Sequence, residues 1–475
     1  MLYARSRLTA ALPYLMGLIL IGEYWCTLTA TAGFGIYGYG AWRIWRVVAG
    51  SALGLLFVTV ALLGHGAFKI PWSGFLALIG ALFVFRWNEG WVPQGVPAET
   101  PNVVLPLAVM VVIIYWELSL LKPRLAKFMP MLLLGLGAWG YWVFVIIDSV
   151  KVPFVDVWYQ LNRGAELFLV GESPYATFFP DFYKGEAWFG FDAPGFSYPP
   201  AVLFTSVLAK ALNVDVRTVL SSLVAFSAII LARIARRSGW SSAASSILAL
   251  SYIFVPRFGF VIVSGHSEPI SGFLLALGAF FIQRGRFKTG FFLYGMFVTS
   301  KQYLIVALPM LAMTTGSLLE LFLLGAGAVI LWLPWIFTEP VALWKAVFQV
   351  HVDRPARKDA LTLSAWRINH QLRPLRRWIP LAMGAGMGIL SSLRFRAPRR
   401  LPLHLGICLL PMMVVSPQAF GNYYTLICWC FLLGFASEPV SGMPLTDETW
   451  VWGKFRDILA RGSARTLDSA CHDDD

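Results

Sequence analysis

Asp156, in the segment Val155-Asp156-Val157-Trp158-Tyr159, lies just beyond the apolar run 128–148 and opens a stretch, 157–170, that reads as helical. An ionised carboxylate beside apolar segments is costly to hold there and is a functional candidate by default. As a general base it would take a proton from a sugar hydroxyl while that oxygen attacks an anomeric carbon. Helix capping is the structural alternative, because an aspartate here satisfies orphan backbone N–H groups. Asp148, at the end of the preceding run, is a weaker rival for the same task.

Other polar groups sit where polar groups are rare. His266 and Glu268 lie between two apolar runs; a neutral, hydrogen-bonded histidine is the plain reading, and contact with a phosphate or sugar is the functional one. Lys301 interrupts the apolar stretch 289–314, and a buried ammonium needs an anion, either a lipid phosphate or a protein carboxylate. The segment 337–377 holds His351, Asp353, Arg354, Arg357, Lys358, Arg367 and His370, charges suited to an anionic ligand such as a lipid-linked phosphate. Two tyrosines complete the set. Tyr175 closes Gly171-Glu172-Ser173-Pro174-Tyr175, where Gly171 and Pro174 read as a helix stop. Tyr198 opens Tyr198-Pro199-Pro200, a helix start with proline in its first turn. Each tyrosine offers a sugar- or lipid-facing ring or an ordinary interfacial anchor. The late loop Ser416–Tyr424 is polar and aromatic and would suit sugar stacking.

The elements that position these residues are helices in lipid. The chain has 475 residues, 58% hydrophobic and 13% charged, with mean hydropathy +0.67. Soluble domains are roughly 45–50% apolar and about 25% charged, so lipid is the expected solvent for most of this chain. Apolar runs fall at 11–32, 47–65, 70–86, 102–121, 128–148, 217–236, 241–263, 267–283, 289–300, 302–314, 317–336, 378–393, 402–415 and 421–437. The expected fold is an all-α polytopic membrane protein. It comprises an N-terminal four-helix extension over 1–121, a core of about 10 helices over 122–437 and a cytoplasmic tail over 438–475 with an amphipathic helix at 447–461.

Lys/Arg clusters set the orientation. Lys122/Arg124/Lys127, Arg233/Arg236/Arg237, Arg284/Arg286/Lys288 and Arg394/Arg396/Arg399/Arg400 belong on the cytoplasmic side, and the acidic stretch 149–197 on the outer side. All clusters agree only if 198–213 lies on the surface without crossing and 289–314 forms a short pair turning near Lys301. The outer face then collects 149–216, Gly265–Glu268, Lys301-Gln302, 337–377 and 416–424. Arg43 and Arg46 fall outside in this scheme, which leaves the first four helices the least constrained.

Several classes are disfavoured. The net charge of +13 sits in short clusters between apolar runs and accompanies no nucleic-acid module. Cys26, Cys408, Cys428, Cys430 and Cys471 match no disulfide or zinc framework and read as free thiols. No metal-ligand spacing and no cofactor motif is evident, so none is expected. The N-terminal run ending at Ala30-Thr31-Ala32 reads as a first helix that is not cleaved.

Taken in order, Asp156-Val-Trp-Tyr159, Gly171-Glu-Ser-Pro-Tyr175, Tyr198-Pro-Pro200, Lys301-Gln302 and Pro309 resemble glycosyltransferase family 87, over about 128–437. That family comprises polyprenyl-phosphate-mannose-dependent mannosyltransferases of the C-type membrane fold. The resemblance implies an inverting hexosyltransferase at the extracytoplasmic face of the cell membrane. Asp156 would be the base, and surface helices would occupy the first outer loop of the core. The partners implied are a polyprenyl-phosphate-linked sugar and a lipid or glycan acceptor, with no metal. Lys301, Arg354, Arg357, His266, Glu268, Tyr175 and Tyr198 are then the substrate-binding candidates, with Lys301 and arginines of 337–377 on the donor phosphate. Family members carry Trp and His after the Ser-Pro of the late loop, where this chain has Gln418-Ala-Phe-Gly-Asn-Tyr-Tyr424, and this leaves the acceptor open. Two other classes compete. A secondary transporter or flippase would place paired charges near the midplane and show inverted repeats; a polysaccharide polymerase or ligase would need a diphosphate-linked donor.

Overall fold

Backbone N–H and C=O groups in apolar runs must pair with one another, and a helix does this within one segment. The computed structural model describes residues 131–439, except 154, 184–191, 241, 254–257, 358–359, 361, 395–396 and 420. The expected N-terminal extension, the cluster at 122–127, Lys358, Arg396 and the tail helix lie outside the described residues. Among the described residues the structure is helical and contains no strand; Phe179 and Ala193 form an isolated antiparallel bridge.

The helices run back and forth between two ends. Helix α1 (Met131–Ser149) reaches the end that carries Asp156, here called the site end. Helix α2 (Asp156–Leu169) lies there, burying Val157, Gln160, Leu161, Gly164 and Ala165, the i, i+3, i+4 stripe of an amphipathic helix. It packs on α3 (Pro200–Ala211), and Lys210 Nζ meets Glu166 Oε1 at 2.8 Å. At twelve residues α3 is only about 18 Å long. It does not carry the chain to the other end. Arg217, in the first turn of α4 (Val216–Arg237), donates to the Val150 carbonyl at 2.7 Å and is held by Asp215 through two contacts of 2.8–2.9 Å. The stretch 198–213, expected to be helical, forms its helix at 200–211.

From there the path alternates. Helix α4 runs to the far end, α5 (Ser242–Ile253) and α6 (Phe258–Val263) return, and α7 (Glu268–Gln283) goes out again. At the far end Gln283 Nε2 donates to the Ile234 carbonyl and to Ser238 Oγ, both at 2.8 Å. Helix α8 (Phe287–Val298) returns to Lys301; a 3₁₀ segment, Gln302–Ala307, and α9 (Leu308–Thr314) lead away, as the short-pair reading expected. Helix α10 (Leu318–Val329) starts from a capping box in which Ser317 Oγ accepts from Glu320 N at 3.2 Å. It packs on α8 at unusually close range. A Cβ built on Gly295 would collide with the Leu324 carbonyl, and one on Gly327 with the Phe292 carbonyl. Helices α15 (Trp378–Arg394), α16 (Leu401–Val415) and α17 (Gly421–Ser437) complete the bundle.

One expected run breaks. The run 317–336 ends at Val329 and resumes as α11 (Leu333–Thr338), where Pro334 restarts it. The loop expected over 337–377 is largely helical: α12 (Pro340–Trp344), a π turn (Lys345–Gln349), α13 (Val350–Asp353) and α14 (Leu363–Asn369). The first three follow one another directly over Pro340–Asp353, the π turn shifting the helical register midway. Gly171 has φ +81°, the left-handed stop expected after α2.

Val216–Arg237 is long and apolar enough to cross a membrane, with mean hydropathy 2.0; seven further apolar helices, Glu268–Gln283 and Leu318–Val329 among them, span 10–17 residues. Cys408, Cys428 and Cys430 are buried and form no disulfide among the described residues.

Candidate functional site

Asp156 is the first residue of α2. Val155 holds the N-cap position without a side-chain capping bond, and Asp156 follows it as the first helical residue, its carboxylate taking the Val157 N–H. Its carboxylate sits in the first turn, where the helix dipole favours negative charge. Tyr183 straddles it: the Asp156 N–H donates to the Tyr183 hydroxyl at 3.3 Å, and that hydroxyl donates to Asp156 Oδ1 at 3.5 Å. Burial pushes the carboxyl above its ordinary range, while Arg354, Arg357, the Val157 N–H and the Tyr183 hydroxyl oppose that shift. The result is a carboxylate made more basic by desolvation but faced by two guanidinium charges. Its rival Asp148 is exposed at the end of α1 and paired with Lys151.

A second group lies deeper, built from three helix ends. Glu268 opens α7, Lys301 follows α8 and Asn422 lies in the first turn of α17. Glu268 Oε1 accepts from Lys301 Nζ and from Asn422 Nδ2, both at 2.7 Å. The Lys301 and Glu268 side chains are 6% and 0% exposed. Of the two anions weighed for Lys301, the structure supplies the protein carboxylate. The ammonium also stands 5.9 Å from the Tyr198 ring centre and 5.5 Å from that of Tyr423. Tyr303 packs on Tyr423 with ring centres 4.9 Å apart.

Tyr198 joins the two groups, since its phenol lies within electrostatic reach of Asp156, Arg354, Tyr423 and Glu268. The backbone beside it is tightly held. Gln302 Nε2 donates to the Ser197 carbonyl at 2.7 Å, His351 Nε2 lies 3.2 Å from the same oxygen, and Ser197 N donates to Gln160 at 3.2 Å. Burial, then the charge of Arg354, pulls His351 down to about 4, so the ring is neutral at pH 7. Tyr175 lies beneath. It is buried, donates its hydroxyl to the Tyr198 carbonyl at 3.1 Å and packs on Phe196 and Trp335. It supports Tyr198 rather than offering a face to a ligand.

Arg354 and Arg357 follow α13 and are tied to the late loop. Arg357 N donates to the Pro417 carbonyl at 3.2 Å, and Gln418 Nε2 donates to the Pro355 carbonyl at 2.9 Å. His266 sits in the turn before α7, next to Glu268, and the preceding residue, Gly265, packs on Trp158 of α2. Burial lowers His266 to about 4, the neutral histidine of the plain reading.

The structure thus gathers Asp156, Tyr198, His266, Glu268, Lys301, Arg354 and Arg357 at one end and puts Tyr175 behind them. Arg367 Nε donates to the Arg373 carbonyl at 2.8 Å, and His370 Nδ1 lies 2.9 Å from the Trp366 carbonyl. Tyr183 and Asn422 carried no sequence signal as site residues. Tyr183 reaches Asp156 from 27 positions away, and Asn422 was visible only as part of a polar, aromatic loop. No three His, Cys, Asp or Glu side chains converge as a metal set among the described residues. Comparison of the chain with known protein families, curated proteins and solved structures found no match.

Proposed function

We propose that the chain is a multi-pass membrane glycosyltransferase. It moves a hexose, mannose by the resemblance to glycosyltransferase family 87, from a polyprenyl-phosphate donor to a lipid or glycan acceptor at the extracytoplasmic face. One observation carries the reading: Asp156 is a desolvated carboxylate facing Arg354 and Arg357 at the end where every other buried ionic group of the site collects. A base beside two fixed cations suits attack by an alcohol on a carbon whose leaving group is an anion.

In the step proposed, Asp156 takes the acceptor hydroxyl proton and the acceptor oxygen bonds to the anomeric carbon. The bond from that carbon to the phosphate oxygen breaks, and its electron pair leaves on the phosphate, which Arg354 and Arg357 neutralise. Attack and departure on opposite faces invert the configuration. The leaving phosphate needs no proton, so one base suffices.

A multi-pass bundle is supported by large apolar side chains turned outward on several helices: Phe144 at 67% exposure, Phe226 at 57%, Phe322 at 67% and Leu390 at 62%. Water would penalise such flanks, whereas lipid would not. The basic groups at the far end, Arg233, Arg237, Arg286 and Lys288, are exposed, as cytoplasmic topology signals would be.

The test uses membranes containing the full chain, radiolabelled polyprenyl-phosphate hexoses and an acceptor extract. Wild type should form product and Asp156→Asn none, at equal protein levels. Full activity in the variant would reject the base, and flux of labelled lipid without product would point to a transporter.

A further inference from the structure

Among the described residues, the deeper group contains oxygens with no partner. Glu268 Oε1 has two donors, yet Glu268 Oε2 has none, and Asn422 Oδ1 has none although the amide nitrogen is engaged. Both residues are buried, at 0% and 4% exposure. The Tyr303 hydroxyl and Ser267 Oγ are likewise without a partner. A buried oxygen left unpaired costs about as much as a lost hydrogen bond, and more when it is charged.

The two hydroxyls can donate or accept, but the chemistry of Glu268 Oε2 and Asn422 Oδ1 is one-sided. A carboxylate oxygen and an amide carbonyl oxygen only accept, so what they need is a donor. Phosphate supplies acceptors and negative charge, and Glu268 would repel it. The Lys301 ammonium is already answered by Glu268. A polyol ring supplies what is missing, several O–H donors on a compact body. Tyr198 and Tyr423, the part-exposed members of the cluster, offer rings on which such a body packs.

We infer that the Glu268–Lys301–Asn422 cluster is a hexose-hydroxyl subsite, in which Glu268 Oε2 and Asn422 Oδ1 accept hydrogen bonds from hydroxyls of the transferred sugar. The donor phosphate is then left to Arg354 and Arg357. This rests on the reading under Proposed function and reverses one part of the sequence expectation, which put Lys301 on the phosphate. Tyr198, shared by both groups, marks the boundary between the phosphate and sugar sides.

Binding separates this inference from the function it rests on. Full-length protein in lipid nanodiscs is titrated with a short-chain prenyl phosphate, its mannosyl ester and esters of mono-deoxymannoses, with affinity read by calorimetry. Wild type should bind the mannosyl ester about 10- to 100-fold more tightly than the bare phosphate, the range for hydrogen bonds to a charged acceptor. At least one deoxy sugar should lose most of that gain. Asn422→Ala and Glu268→Gln should erase the gain while keeping affinity for bare prenyl phosphate, which also reports that each variant is folded. Several results overturn the subsite. One is an undiminished sugar gain in Asn422→Ala, and this result is decisive even if Glu268→Gln fails to fold. Another is deoxy esters that all bind like the parent, as they would if water satisfies these oxygens. A third is tighter binding of bare phosphate by Glu268→Gln, which would place an anion there. If the mannosyl ester gains nothing over bare phosphate in wild type, the subsite falls while the lipid-phosphate reading stands. If neither ligand binds wild type, both fall.

Discussion

The two ends of the bundle hold the same kinds of charged residue under opposite conditions. At the far end Arg233, Arg237, Arg284, Arg286 and Lys288 are exposed, and Arg284 lies over the Phe280 ring at 5.0 Å. At the site end Arg217, Lys301 and Glu268 are buried, each within hydrogen-bonding distance of named partners. An exposed cation keeps its hydration and answers to the whole membrane, so position along the chain matters more than geometry. A buried cation has given up that hydration and depends on one or two atoms. Burial thus sets Arg217 and Lys301 apart from these far-end cations, although composition alone makes them look alike; Arg400, part-buried and 2.7 Å from Glu438, is the far-end exception.

Substitutions sharpen the contrast, beginning with the largest effect. Asp156→Asn should lower transfer by about 10²–10⁴-fold, the range for a positioned base, with thermal unfolding unchanged. Lys301→Ala leaves the Glu268 carboxylate buried without its cation and should destabilise the protein by about 3–5 kcal/mol, read by thermal unfolding in detergent. Arg354→Ala should weaken donor affinity about 10- to 100-fold. It should also move the acid limb of kcat/KM to higher pH, because one charge that opposes the upward shift of Asp156 is gone. A limb that stays put would remove Arg354 from the neighbourhood of the base.

His351 makes a smaller, pH-dependent difference. Its folded value is held near 4, below the ordinary 6.5, so between those values the unfolded chain takes up a proton that the folded chain refuses. Stability should fall as pH drops through that window, and His351→Gln should flatten the dependence in a pH series of unfolding curves. Smallest of all, Arg286→Ala at the far end should change stability by no more than about 0.5 kcal/mol. A loss as large as that of Lys301→Ala would break the contrast between the ends.

Much of the architecture was legible because apolar runs and basic clusters obey simple rules. The turn at Lys301, the helix over 200–211 and the meeting of 156, 198, 266–268 and 301 at one end all followed from parity and hydropathy. What was not legible depends on atoms rather than patterns. Nothing in the spacing of Glu268 and Lys301 told whether the ammonium meets a lipid phosphate or that carboxylate, 33 positions away. The helical run Pro340–Asp353 was hidden because its π turn breaks the helical register, and Leu363–Asn369 because it spans only about two turns. Tyr183 and Asn422 acquire their roles only through long-range folding.

The crossing of α8 and α10 at Gly295 and Gly327 bears on the placement of Lys301 although it does not include that residue. Where two backbones meet directly, no side chain can change rotamer to absorb a shift, and one helix cannot slide along the other without collision. Lys301 stands a few residues beyond that locked crossing. Its ammonium is thus placed by main-chain fit rather than by a long flexible stem alone, and a single methyl group added at Gly295 would be transmitted to the Glu268–Lys301–Asn422 cluster as a displacement of its cation.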